Sequence, residues 1–229
     1  MHIWSWQGFF DYLFNPFLLE GAVTTLWLTA ASLFFGLLLG IVVALLRLSG
    51  NRWLAGIAGF YCWVFRGTPL LVQLLLIYTG LPLFGIRLGV TEAALLGLSL
   101  NEAAYLSEIV RSGISAVGPG QREAGLALGL KKVQVFRTIT WPQAFRIIIP
   151  PLGNSVNGLL KTTSVASVIS MEELLRRTQI LIQERFLVLE LFLAAAFWYL
   201  VMTTAWDLVQ RQLEKRYGRA YANTAADRR

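Results

Sequence analysis

From Gly21 to Leu46 the chain runs for 26 residues without a charged side chain. As a helix that stretch measures roughly 39 Å, enough to cross a hydrocarbon layer of about 30 Å with some tilt. A membrane span is therefore expected. Composition extends the reading to the whole chain, because 56% of residues are hydrophobic, 14% are charged and mean hydropathy is +0.59. Those values belong to polytopic membrane proteins. One membrane domain over 21–206 is expected, with an interfacial segment at 1–20 and a cytoplasmic helix and tail at 207–229. The net charge of +7 would suit nucleic acid in a soluble chain, but in a membrane protein basic residues mark cytoplasmic loops. A lipid bilayer, and no nucleic acid, is the expected partner of this surface.

Cofactor chemistry is narrowly bounded. Cys62 is the single cysteine and His2 the single histidine, which leaves no ligand set for haem, an iron–sulfur cluster or a His/Cys zinc site. No metal site is expected. Nor does G-x-x-x-x-G-K-[ST] occur anywhere, so the chain cannot cradle ATP phosphates itself.

The segment ahead of the apolar run carries Trp4, Trp6, Phe9, Phe10, Tyr12, Phe14 and Phe17 and no Lys or Arg. Aromatic, weakly charged segments settle at headgroup level, so residues 1–20 are expected to lie along the interface, the other reading being an unstructured tail. Without a basic n-region or a cleavage site after it, the run is expected to stay as the first span. Its Gly36 and Gly40 form a G-x-x-x-G pair that permits close helix packing.

A basic turn, Arg47–Arg52, leads to a second span from Trp53 to about Leu83. Arg66, Gly67, Thr68 and Pro69 interrupt it; Pro69 removes a backbone donor and disfavours a helical Thr68, so a kink or break is expected. Arg66 either faces a water-filled cavity or snorkels to the cytoplasmic interface. After a turn over 81–91, a third span runs from about Glu92 to Ala116. Within it Asn101, Tyr105 and Glu108 fall at i, i+4 and i+7, with Glu102 on the edge of the same face. A polar stripe of this kind belongs inside a bundle rather than against lipid.

The fourth span starts at Pro142 and is expected to break at Pro150 and Pro151, followed by Asn154, Asn157, Lys161, Thr162, Thr163 and Ser164. Proline-broken helices with polar side chains build midplane binding sites in transporters. The competing reading is hydrogen bonding between helices with no ligand. Residues 171–186 read as a short amphipathic helix outside the membrane, Leu187 to about Trp206 as the last span, and 207–219 as a charged helix before an unstructured ANTAADRR tail.

Orientation follows from the basic residues. Loops 47–53, 111–146 and 207–229 carry 14 of the 20 lysines and arginines, the opposite loops carry 5, and Arg66 is the remaining one. The richer side is cytoplasmic. The expected fold is thus an all-α integral membrane protein of five spans, N-terminus outside and C-terminus cytoplasmic.

The most specific feature lies in the longest cytoplasmic segment, residues 119–142. Glu123, Ala124 and Gly125 are followed by Gly129, then after nine residues by Ile139, and then by Trp141 and Pro142. This spacing resembles the EAA motif of ABC importer permeases, E-A-A-x3-G-x9-I-x-L-P, with Gly125 in place of the third Ala and Trp141 in place of Leu. The string FRGTPLLVQL at 65–74 and the run from SLNEAAYLSEIVRSGI through Gly120–Gln121 resemble the polar amino acid branch of that class. Local chemistry agrees with a short helix here: Gly118-Pro119-Gly120 stops the preceding helix, good helix formers follow from Gln121 to Leu128, and Gly129 suits the cap.

The resemblance implies a type I ABC importer permease fold in a bacterial inner membrane. By it the chain is not an enzyme but the translocation subunit of an ATP-hydrolysing complex taking up polar amino acids such as histidine, glutamine, glutamate, arginine, cystine or opines. It binds no cofactor; ATP-Mg sits on partner ATPase subunits. The other implied partners are a second permease copy or homologous permease and an extracytoplasmic amino-acid-binding protein. Gln121, Glu123, Ala124, Gly125, Leu128 and Gly129 are expected to couple to the ATPase. Arg66, Gly67, Pro69, Pro142, Pro150 and Pro151 are expected hinge or structural residues, and Gln73, Asn101, Glu102, Tyr105, Asn154, Asn157, Lys161, Thr163 and Ser164 are expected to contact substrate. An α-carboxylate suits Lys161 or a half-helix N-terminus, and an α-ammonium suits Glu102 or free carbonyls. Relatives often carry Asp where Thr162 stands, so substrate charge is not read from the resemblance. Two other classes stay open: an ion-gradient-driven transporter or channel subunit using Glu102, Glu108 and Arg66 as a relay, and a non-transporting scaffold or export subunit.

Overall fold

A computed structural model describes residues 4–217. The first three residues and the tail after Tyr217, where an unstructured ending is expected, lie outside the described residues. A short helix, α1 (Trp6–Leu13), precedes α2 (Pro16–Arg47), which is 32 residues long. Asn15 starts α2 by accepting from the Phe17 amide, and Pro16 occupies the first turn, where its missing N–H costs nothing. Then come α3 (Arg52–Gly67), α4 (Leu70–Leu75), α5 (Val90–Ser115), α6 (Pro119–Ala127), α7 (Lys132–Val135), α8 (Trp141–Thr162), α9 (Leu174–Arg185) and α10 (Val188–Tyr217).

Two of these helices, α2 and α10, are long and apolar enough to cross a bilayer. Taken together, α3 and residues 70–84 pass the same test of length and hydropathy, and they are bent by 105° at the expected break. Helices α5 and α8 carry more polar residues because their neighbours shield them. On α5, Ala93, Ala94, Leu98, Ala103, Ala104, Leu106, Val110 and Ile114 are all buried.

The α2–α5 seam explains the glycine pair. A Cβ placed on Gly40 would lie 3.1 Å from the Ala103 carbonyl oxygen and 3.2 Å from the Ser107 amide nitrogen, and one on Gly36 would lie 3.2 Å from Cβ of Glu102. The two backbones meet with no room for side chains between them. At one end of the molecule α1, the start of α2, α9 and α10 share a core of Leu13, Leu18, Leu174, Leu181 and Leu191. Buried Glu173 ties that end, accepting from the Arg176 amide at 2.8 Å and from the Tyr199 hydroxyl at 2.7 Å. At the other end Ala44, Val110, Ile114, Ala144 and Ile148 join α2, α5 and α8.

The expected break at Pro150 and Pro151 is not found. Helix α8 runs unbroken through both prolines. Each removes one backbone donor, but its fixed φ is compatible with a helix. Buried Ile148, Ile149, Gly153 and Val156 hold both sides of the pair against neighbouring helices. The irregular backbone lies instead at the ends of α8, in a π-helical turn over Phe136–Thr140 and a 3-10 segment over Thr163–Ile169.

Placing a side chain in the seam should therefore be costly. Gly40→Leu is expected to destabilise the protein by about 1–3 kcal/mol through overpacking, read as a lower Tm in detergent. Gly56→Leu, where an added Cβ meets nothing within 4 Å, should leave Tm unchanged.

Candidate functional site

The break between α3 and α4 frees backbone groups inside the bundle, and the nearest polar side chains take them up. Thr68 is extended, with φ −119° and ψ 147°, as the residue before a proline prefers. Its hydroxyl donates to the Val64 carbonyl at 2.8 Å. The Gln73 amide donates to the Phe65 carbonyl at 2.9 Å, the Thr68 carbonyl at 3.1 Å and the Thr68 hydroxyl at 2.8 Å. From α5, Asn101 donates to the same Phe65 carbonyl at 3.2 Å and to Oε1 of Gln73 at 3.0 Å. A bent backbone beside the helices is tolerated because its carbonyls find these donors.

Beside the bend lies a cavity of about 530 Å³. Arg66, Thr68, Pro69 and Leu70 form one wall, Asn101, Glu102, Tyr105, Glu108 and Ile109 of α5 the second, and Ser155, Gly158, Leu159 and Thr162 of α8 the third. Glu102 is 7% exposed and accepts from the Ser155 hydroxyl at 2.6 Å. Glu108 is bonded by Arg47 and Arg111, and Arg66 stands 3.7 Å from it. The Arg66 guanidinium also lies over the Tyr105 ring, 5.6 Å from its centroid. Three guanidiniums thus share one carboxylate, so this end of the cavity carries a surplus of positive charge. A smaller cavity of about 420 Å³, lined by Arg47, Gly59, Cys62, Trp63 and Gly67, shares Arg66 and Tyr105 with it.

Of the residues expected to contact substrate, Asn101, Glu102 and Tyr105 line the cavity. Others point elsewhere. Asn157 donates to Asp207 of α10 at 2.6 Å, and Asn154 accepts from Gln210 at 3.1 Å. Both therefore make the helix-to-helix bonds that were the competing reading of this stretch. Gln73 is buried in the bend. Thr163 is fully buried and donates to the Leu160 carbonyl; Ser164 donates to the carbonyl of Lys161, whose own side chain is exposed. Of that polar set Thr162 does line the cavity, and Ser155, Gly158 and Leu159, which no sequence signal singled out, join it at i, i+3, i+4 and i+7, a spacing that places them on one stripe. The asparagines drew attention to the opposite stripe.

The 119–142 segment is built tightly. Arg122 of α6 donates to the Ile114 carbonyl of α5 at 2.7 Å. A Cβ on Gly125 would approach Ile139 to 2.7 Å and Val135 to 3.0 Å, so α6 presses onto α7 and the π-helical turn. Gly129 closes the helix at φ +80°, and the Leu130 amide donates back to the Gly125 carbonyl at 3.2 Å. Gln121, Glu123 and Ala124 face outward, and Leu128 is 81% exposed.

Similarity to known proteins converges on one class. A family model described as binding-protein-dependent transport system inner membrane component matches residues 36–219. The arginine transport system permease protein ArgU of Corynebacterium glutamicum is 40% identical, over 98% of this chain and 76% of its own. The glutamine transport system permease protein GlnP of Escherichia coli is 38% identical, over 88% of this chain and 93% of its own. Among solved structures, a chain of an amino acid ABC transporter crystallised with histidines matches with TM-score 0.88 and 36% identity, over 94% of this chain and 100% of that one. A chain of the MetNI methionine ABC transporter shares the fold at TM-score 0.76 and 18% identity, over 89% of this chain and 97% of that one.

Gln73→Leu removes every donor that Gln73 gives the bend. It is expected to destabilise the protein by about 1 kcal/mol through the hydrogen bonds lost at these half-buried groups, measured as a fall in Tm, with Asn101→Leu adding less than its separate effect because the two amides form one network.

Proposed function

The chain belongs to the family of binding-protein-dependent transport system inner membrane components, and from that premise we propose that it imports polar amino acids through the cavity beside the α3–α4 bend. It is the permease subunit of an ABC transporter, a multi-pass bacterial inner membrane protein, and not an enzyme, since ATP hydrolysis belongs to a separate subunit. The amino acid cargo rests on the arginine and glutamine permeases it resembles and on a cavity that holds charges of both signs. In our reading the chain crosses the membrane five times, at α2, α3–α4, α5, α8 and α10. The N-terminus is outside, α1 lies along the interface, and α6, α7 and the end of α10 are cytoplasmic. This assignment is supported by the distribution of Lys and Arg and by the exposed Trp6, Phe10 and Phe14 of α1.

One observation carries the coupling. Helix α6 presents Glu123 and Leu128 outward while Arg122 fastens it to the end of α5, the helix that supplies a wall of the cavity. An ATPase dimer docked on α6 would move that wall as a lever, with ATP driving the change by binding the two states unequally. A second permease, the same or homologous, and an extracytoplasmic binding protein complete the importer. The ion-gradient alternative is not favoured. The chain matches the binding-protein-dependent transport family over residues 36–219, and of its relay acids Glu108 is held by Arg47 and Arg111.

Glu123→Lys tests the docking. In the purified complex reconstituted with its ATPase and binding protein, it should lower ATP-driven uptake by about tenfold or more, about 1.4 kcal/mol of lost coupling, with the fold intact by circular dichroism. Uptake and ATPase stimulation at the unmodified level would sink the role assigned to α6.

A further inference from the structure

The two cavities meet at one pair of side chains. Arg66 and Tyr105 line both, the larger cavity extending from them to Ser155 and Thr162 of α8 and the smaller one to Arg47, Cys62 and Trp63. Their volumes, about 530 and 420 Å³, each fall in the range of roughly 300–1,000 Å³ usual for small-molecule sites. The Arg66 guanidinium lies over the Tyr105 ring, 5.6 Å from its centroid. The pair is thus a partition between two chambers.

That partition joins one loosely held side chain to a fixed seat. One oxygen of Glu108 is bonded by Arg47 and the other by Arg111, and direct hydrogen bonds between ionised groups are the strong kind. Behind them the close approach of α2 to α5 at Gly36 and Gly40 holds Arg47 and Glu108 in register. Arg66 stands 3.7 Å from the same carboxylate, too far to donate a hydrogen bond to it, and its side chain is 43% exposed against 24% for Arg47 and 32% for Arg111. A long ion pair and a contact with an exposed ring are both weak. Arg66 therefore leaves its place without unmaking the cluster behind it.

Its position in the chain supplies the movement. Arg66 is in the last turn of α3, next to Gly67, where an added Cβ would meet nothing within 4 Å, and directly ahead of the 105° bend. Tyr105 and Glu108 both belong to α5, three residues apart and so on one face. A change in the bend lifts Arg66 from α5 while its seat stays where it is.

We propose that Arg66 is a gate between the two cavities, shut against Tyr105 and Glu108 in this structure and opened when the bend between α3 and α4 changes its angle. The proposal rests on the importer reading above and adds a barrier that cargo passes between the chamber beside the bend and the chamber at the Arg47 end of α2. Glu108 is then a positioning residue, which keeps the seat of the gate in place.

The test reads access to the larger cavity from the ATPase side. Thr162→Cys in a Cys62→Ala background leaves the permease one thiol, beyond the partition. Inside-out membrane vesicles holding the full complex are treated with two membrane-impermeant methanethiosulfonates, one cationic and one anionic, and labelling at position 162 is followed by mass spectrometry. Arg66→Ala is expected to speed labelling by both reagents about tenfold or more, and Arg66→Lys by less. Tyr105→Leu, which changes no charge, should do the same, and Tyr105→Phe, which keeps the ring, should fall short of it; this pair carries the test if Arg66→Ala fails to assemble. Faster labelling by the cationic reagent with slower labelling by the anionic one would show Arg66 acting by charge alone. Rates unchanged in both Arg66→Ala and Tyr105→Leu would show that nothing is shut there, and either result overturns the gate. ATP-driven uptake by the unmodified complex with its binding protein is the separate readout. Uptake in a complex whose labelling ignores Arg66 leaves the importer standing without this gate, whereas absence of ATP-driven uptake of any amino acid counts against the importer reading itself.

Discussion

The contact between α2 and α5 governs the rest of the molecule. Hydrophobic burial gives little drive for helices to associate inside a bilayer, so close backbone approach and dispersion must supply it. Gly36 and Gly40 provide that approach. Because α2 sits so near, α5 is shielded along most of its length and can carry Asn101, Glu102 and Glu108 without presenting them to lipid. The polar wall of the cavity is a product of the apolar seam behind it.

From that seam the working parts follow in order. Helix α5 offers one face to α2, another to the bend between α3 and α4, and its last turn to Arg122 of α6. A displacement at the cytoplasmic surface therefore has a stiff path to the cavity. The guanidinium cluster reinforces it, because Arg47 of α2, Arg66 of α3 and Arg111 of α5 all converge on Glu108. The charge that pins these helices together is also the charge that biases what the cavity attracts.

Much of this was legible in the sequence, and the failures are instructive. The apolar run, the bend before Pro69 and the polar stripe on α5 each depend on local rules, namely length, a missing donor and helical period, and all three elements are found. Pro150 and Pro151 misled because a local rule was outweighed by packing on both sides of them. Asn154 and Asn157 misled for a different reason: their polarity is spent on Gln210 and Asp207 of α10, and residue type alone does not say which neighbour a helix face will meet. Ser155 and Thr162, less conspicuous, occupy the face that counts.

The π-helical turn at Phe136–Thr140 carries a consequence for how such chains can change. It falls within and just beyond the nine residues that separate Gly129 from Ile139. A π turn holds one residue more than an α turn would, so deleting a single residue there would let the segment relax into an ordinary α-helix. Because the π turn absorbs that extra residue while the helix on either side keeps its phase, α6 would keep its bearing on α8 and only the bulge would be lost. A deletion in the regular α-helical part of α8 would instead turn everything before it by about 100° around the helix axis and lift α6 from its seat on Val135 and Ile139. The bulge is thus the one place between α6 and α8 where chain length can change without resetting the angle at which α6 is presented.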